Sequence, residues 1–166
     1  MAAMPRLFVA AWPDAGTVAA LRALDRPNEP GIRWVPPSNL HITLQFIGDA
    51  VVDDVVHDLG RVEMPRSTVE LGPAVERLGP RQLVLPASGA DALAAAVRAA
   101  TIGLGPPDGR RFRGHLTVAR TKRGARSTAF GAPFEATWTI DEVALVESEL
   151  LPTGAVYTTV ATFPTV

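Results

Sequence analysis

At 166 residues, with 47% apolar side chains and a net charge of −1, the chain suits about one domain and holds enough apolar material for a core. The absence of cysteine excludes thiol nucleophiles, disulfides and cysteine-ligated zinc. The small net charge hides a local excess: Arg110, Arg111, Arg113, Arg120, Lys122, Arg123 and Arg126 are seven of the sixteen basic residues, and Asp108 is the single acid near them.

Arg6 to Trp12 is an apolar run ended by Pro13-Asp14 and is expected to form a buried strand. Within Met1 to Trp12 the apolar stretch Leu7 to Ala11 is too short for a signal peptide or a membrane span, so a cytoplasmic protein is expected, with no membrane partner. Asp14 is placed to cap a helix reaching about Leu24, with Val18 and Leu21 facing inward and Pro27 beyond its end. Arg33-Trp34-Val35 leads to the rigid Pro36-Pro37 turn, which delivers the chain to a strand from His41 to Ile47. Strict alternation in that strand puts His41, Thr43 and Gln45 on one face and Ile42, Leu44 and Phe46 on the other.

Asp49 is expected to cap a second helix, with Val52, Val55, Val56 and Leu59 as its apolar stripe. His57 lies off that stripe among Asp53, Asp54 and Asp58, and is expected to be a solvated residue paired with Asp53, outside any site. Thr68 to Val75 and Arg81 to Leu85 read as strands joined at Gly79-Pro80. Ser88 and Asp91 resemble a capping box for a helix with Leu93, Ala96, Val97 and Ala100 on one face, stopping near Gly103. The loop Gly103 to Gly109 misses the dinucleotide fingerprint and runs into a strand from His115 to Arg120. A basic loop, Thr121 to Ser127, and three more strands, Phe134 to Thr139, Glu142 to Ser148 and Ala155 to Phe163, complete the chain.

Two of the three histidines stand in one context, His41-Ile42-Thr43-Leu44 and His115-Leu116-Thr117-Val118. A plan of strand, helix and His-x-Thr strand occurs twice, and two copies of one unit commonly pack about an approximate two-fold axis. That symmetry would set the two motif strands face to face across a groove. In-line hydrolysis of a phosphate ester needs a base beside the attacking water and an acid beside the departing oxygen, and two opposed imidazoles meet that need near neutral pH. Thr43 and Thr117 could donate to the non-bridging oxygens. Two histidines without a nearby carboxylate make a poor zinc site, so neither a metal nor a cofactor is expected. Arg120 lies at an odd offset from His115, so a phosphate-binding role requires the strand to end or bulge before it. Phe8 and Trp12 are expected in the core, and Trp34 is left open between core and base stacking. Ser148 lacks a G-x-S-x-G setting and is not expected to be a nucleophile.

The two His-x-Thr motifs with Arg120, together with Arg6-Leu7-Phe8-Val9-Ala10, Trp34-Val35, Asn39-Leu40, Phe46-Ile47-Gly48 and the stretch around Tyr157, resemble the two-histidine (2H) phosphoesterases. The match is closest to the branch of RNA 2′,3′-cyclic phosphodiesterases once described as RNA 2′-5′ ligases. The resemblance spans the chain and implies one 2H domain over 1–166, an α+β fold of two lobes related by a pseudo-two-fold, with antiparallel sheets lining a central cleft and helices outside. It implies opening of a 2′,3′-cyclic phosphate at an RNA terminus to a 2′-phosphate, on RNA or an oligonucleotide, by a monomer. His41 would protonate the leaving 3′ oxygen and His115 would activate water. Family members often carry proline before the second histidine; here Gly114 stands there and is expected to leave the approach to His115 more flexible. The alternatives are another 2H activity (a cyclic phosphate on a nucleotide or ADP-ribose derivative, or RNA end ligation) and a non-catalytic RNA-end binding module.

Overall fold

Every residue from Leu7 to Ala11 is buried on both faces of strand β1 (Arg6–Ala11), which marks this run as a central strand. The computed structural model describes residues 4–105 and 109–166; of the expectations above, Asp108 and part of the Gly103 to Gly109 loop lie outside the described residues. The elements that follow are α1 (Ala15–Arg22), β2 (Ile32–Trp34), a 3-10 turn (Pro37–Asn39), β3 (Ile42–Asp49), α2 (Val52–Leu59), β4 (Ser67–Leu71), β5 (Glu76–Arg77) and β6 (Gln82–Ser88). They continue as α3 (Asp91–Ala100), β7 (His115–Thr121), β8 (Ala136–Ile140), β9 (Glu142–Leu151) and β10 (Gly154–Pro164).

The strands form one curled antiparallel sheet in the order β10-β9-β1-β3-β7-β6-β4-β8, with β2 beside β7 and β5 beside β6. The α+β fold thus has two four-stranded halves, β10-β9-β1-β3 and β7-β6-β4-β8. They meet through a single register pair, Ile42 opposite Leu116. The halves are not successive in sequence: β4 lies in the second half, while β9 and β10 return to the first. Helices cross over too, α1 packing on β8 and α3 on β3.

Alternation assigns the two faces. Leu7, Val9, Ala11, Ile42, Leu44, Leu83, Leu85, Leu116 and Val118 join the helix residues Leu21, Val55, Leu59, Leu93 and Val97 in the main core. Phe8 and Ala10 point the other way, into a small cluster with Ala144 and Val146 flanked by Trp12 and Tyr157. Phe8 is therefore buried as expected, but on the concave face and not among the helices.

Two bulges govern what reaches that concave face. Val9 pairs with Gln45 and Ala10 with Thr43, leaving Leu44 as the extra residue; Leu83 pairs with Ala119 and Val84 with Thr117, leaving Val118. Both extra residues are the fourth of their His-x-Thr motif, so the pseudo-symmetry extends to the backbone irregularity. A bulge shifts the phase of alternation by one residue. Strict alternation therefore fails in β3: Phe46, expected on the face of Ile42 and Leu44, is 45% exposed, and Gln45 turns toward the helices, where Arg98 Nε donates to its Oε1 at 3.3 Å. The same shift in β7 turns Arg120 onto the face of His115 and Thr117.

Several local expectations change for physical reasons. Asp14 caps α1, its Oδ1 accepting from the Thr17 N–H at 2.8 Å, but the helix ends at Arg22 and buries Thr17 with Leu21. Asp49 is the last residue of β3, and the α2 cap is Val51, whose side chain makes no capping bond. Ser88 likewise ends β6, and Ala90 precedes α3. The expected strand from Thr68 to Val75 stops at Leu71, before Gly72-Pro73, because a proline cannot donate to a ladder. His57 is exposed on α2, and among the described residues no ion pair joins it to Asp53.

Gly114 is pinned, contrary to the expected flexibility. Its carbonyl accepts from the Ala87 N–H at 3.0 Å, and a Cβ at this position would lie 2.2 Å from the Ala87 carbonyl oxygen. The close approach of the two backbones explains why this chain carries no side chain there.

Candidate active site

Where β3 and β7 diverge from their one shared pair, the concave face opens into a cleft of about 360 Å³. His41, Thr43, His115, Thr117 and Arg120 all line it, so the five residues singled out in the sequence come together. Of the seven-residue basic run, Arg120 alone is among the lining residues. The other basic residues in the lining are Arg6 and Arg33, and among the described residues no Asp or Glu takes part. Two imidazoles and three guanidiniums without a carboxylate make a site for an anion. Among the described residues no three His, Asp or Glu side chains gather as a metal site would require.

The two rings are held in the same way. Nδ1 of His41 lies 2.7 Å from the Asn39 carbonyl oxygen, and Nδ1 of His115 lies 2.7 Å from the Arg113 carbonyl oxygen. A carbonyl only accepts, so each Nδ1 carries the proton and donates it, and Nε2 is left as the acceptor nitrogen. In both motifs the acceptor is the residue two positions before the histidine, a second match in backbone detail.

Their surroundings differ. His41 is packed on Phe8 at a ring-centroid separation of 5.0 Å, with Trp12 and Tyr157 in T-shaped contact at centroid separations of 5.4 Å each. Burial in this aromatic nest lowers the pKa of His41; the Asn39 carbonyl opposes the shift, and the positive charges of Arg120 and His115 add to it. With His41 neutral, the Thr43 hydroxyl donates to Nε2 across 3.1 Å. The Thr117 hydroxyl donates to Gln82 Oε1 at 3.0 Å. Both threonine hydroxyl protons are thus engaged within the protein.

Sequence reasoning missed Gln82 altogether and gave no cleft role to Phe46, Arg33, Asn39 or Tyr157. Gln82 faces Arg120 across the β6–β7 register, and Phe46 faces Phe8 across β1–β3. These are equivalent places in the two halves, so the internal repeat was the available signal once both bulges are counted. Trp34, left open above, lies on the helix side: its Nε1 donates to the Pro27 carbonyl at 3.0 Å and its ring packs against the main core.

Comparison with known proteins gives concordant matches. A family model described as LigT like Phosphoesterase matches residues 13–74, a stretch that contains the first motif. The chain is 30% identical to an RNA 2′,3′-cyclic phosphodiesterase of Thermus thermophilus, over 95% of this chain and 89% of that one. It is 28% identical to one from Aquifex aeolicus, over 79% and 80% of the two chains. The solved structure of E. coli LigT complexed with 3′-AMP is similar with a TM-score of 0.81, covering 98% of each chain at 26% identity.

Proposed function

This chain belongs to the LigT-like 2H phosphoesterases, and on that premise we propose that residues 1–166 act as one catalytic unit that opens 2′,3′-cyclic phosphates at RNA ends. The observation that carries the proposal is the pair of imidazoles, each fixed at Nδ1 by a backbone carbonyl two residues earlier, both lining a cleft that holds no carboxylate among the described residues. His115 Nε2 takes a proton from water as the water oxygen bonds to phosphorus. His41 Nε2 gives its proton to the 3′ oxygen as that bond breaks, leaving a 2′-phosphate and a 3′-hydroxyl. Arg120, Thr43 and Thr117 hold the non-bridging oxygens.

The lowered pKa of His41 is reconciled with an acid role by the substrate. A phosphate anion beside the ring offsets the charges of Arg120 and His115, which favours the protonated form. Once Nε2 is protonated it no longer accepts from Thr43, and that hydroxyl is released to donate to phosphate. Thr117 gains a free proton if the Gln82 amide turns its NH₂ toward the threonine oxygen. Proton transfer between two imidazoles and the substrate needs no metal.

The test is an assay on a short oligonucleotide ending in a 2′,3′-cyclic phosphate, with chelator present. Turnover to a 2′-phosphate is expected. A 3′-phosphate product would reverse the assigned leaving group, and binding without turnover would make the protein an RNA-end binding module.

A further inference from the structure

Arg33 has no role in the scheme above, yet it lines the cleft. It stands directly opposite Arg120 in the β2–β7 pairing. Like charges opposite one another in a sheet repel. Among the described residues neither guanidinium makes an ion pair, and none of the lining residues is an acid that could compensate them. A sheet that keeps such a pair with open space before it has the character of an anion site, where one local rule is broken in favour of binding.

The two heads serve separate positions. Arg120 is close enough to His41 for its charge to lower that ring's pKa, which puts it at the reacting phosphate. Arg33 reaches from the second half of the sheet to the start of β10 in the first half. There its Nη2 passes so near Gly154 that a Cβ on that residue would lie 2.5 Å away. The Asn39 side chain ties the same rim, donating from Nδ2 to the Ala155 carbonyl at 3.0 Å. A nucleoside 2′,3′-cyclic phosphate carries one negative charge, which Arg120 answers. The second cation calls for a second anionic group on the same ligand.

Resting on the hydrolase reading above, we propose that Arg33 binds a second phosphate, the one on the 5′ oxygen of the terminal nucleotide, so that the enzyme selects substrates carrying it. Two sources share that chemistry, a 5′-monophosphate and an internucleotide linkage.

The experiment compares kcat/KM for a nucleoside 2′,3′-cyclic phosphate, its 5′-phosphorylated form, and a dinucleotide ending in the cyclic phosphate, using wild type, Arg33→Gln, Arg33→Lys and Arg6→Gln. Wild type is expected to prefer the two-phosphate substrates on the order of tenfold, the worth of a charge-assisted hydrogen bond. Arg33→Gln should bring that ratio close to one, and Arg33→Lys should keep part of it, which separates loss of charge from loss of fold. The slope of log kcat/KM against log salt for the dinucleotide should fall by about 0.7 in Arg33→Gln. Preference for both two-phosphate substrates assigns Arg33 to any 5′ phosphate; preference for the dinucleotide alone assigns it to the linkage. No preference in wild type, an equal loss on all substrates in Arg33→Gln, or collapse of the ratio in Arg6→Gln and not in Arg33→Gln overturns the proposal. Wild type inactive on all three overturns the hydrolase reading, and this one with it.

Discussion

Gly114→Ala offers a steric test of how the second histidine is held. The new Cβ would lie 2.2 Å from the Ala87 carbonyl oxygen, whereas real contacts of this kind essentially never fall under 3.0 Å, so β6 and β7 must part by most of an ångström. Overpacking of this kind costs about 1–3 kcal/mol. Against it stands the gain from stiffening the unfolded chain, about 0.4–1 kcal/mol for Gly to Ala. The clash wins, and the net loss of about 1–2 kcal/mol lowers Tm by roughly 2–8 °C in a chain of this size. The same displacement falls where Pro86 faces His115. A misplacement of about 1 Å at a catalytic group can cost on the order of 100-fold. Thermal melting should show the modest loss. Steady-state kinetics well below Tm should show kcat/KM on a cyclic phosphate falling about 10- to 100-fold. A variant with unchanged Tm and unchanged kcat/KM would refute the claim that Gly114 is pinned.

Three other changes have definite signs. The lowered pKa of His41 means that, below the unfolded value of about 6.5, the unfolded chain binds a proton that the folded chain does not. Stability is therefore full above that value and falls as pH drops below it, and His41→Gln should flatten this dependence in denaturant titrations at several pH values. Arg120→Gln removes a positive charge near His41, so the limb of the bell-shaped kcat/KM profile that reports His41 should move to higher pH while the maximum drops; if neither limb moves, Arg120 is detached from His41. Leu116→Ala empties a fully buried place where the two halves meet and should cost about 2–5 kcal/mol by chemical denaturation.

The architecture was largely legible because its signals are local and occur twice. Apolar runs bounded by Pro, Gly and Asp marked most strands, and the stripe of α2 marked its helix. The repeated His-x-Thr placed both imidazoles on one face with their threonines. What escaped depended on backbone detail that residue types do not encode. Nothing in the identity of Leu44 or Val118 announces a bulge, so alternation put Phe46 on the face of Ile42 and Leu44 and Gln45 on the face of His41. For Arg120 the odd offset exposed the same need for a bulge, and β7 supplies it. Asp49 and Ser88 have the chemistry of helix caps, but the ladders of β3 and β6 extend through them. Gln82 and Arg33 reach the cleft through pairing with β7, a contact between segments far apart in sequence.

The central claim is that His41 and His115 act on one phosphorus atom as a unit, and a double-mutant comparison tests it most directly. With kcat/KM measured on one cyclic-phosphate substrate in the presence of chelator, His41→Ala and His115→Ala should each lose about 10²- to 10⁴-fold. The double variant should be scarcely worse than either single one, as for groups that work together. Losses that multiply, or one histidine whose removal leaves the rate intact, would contradict the account.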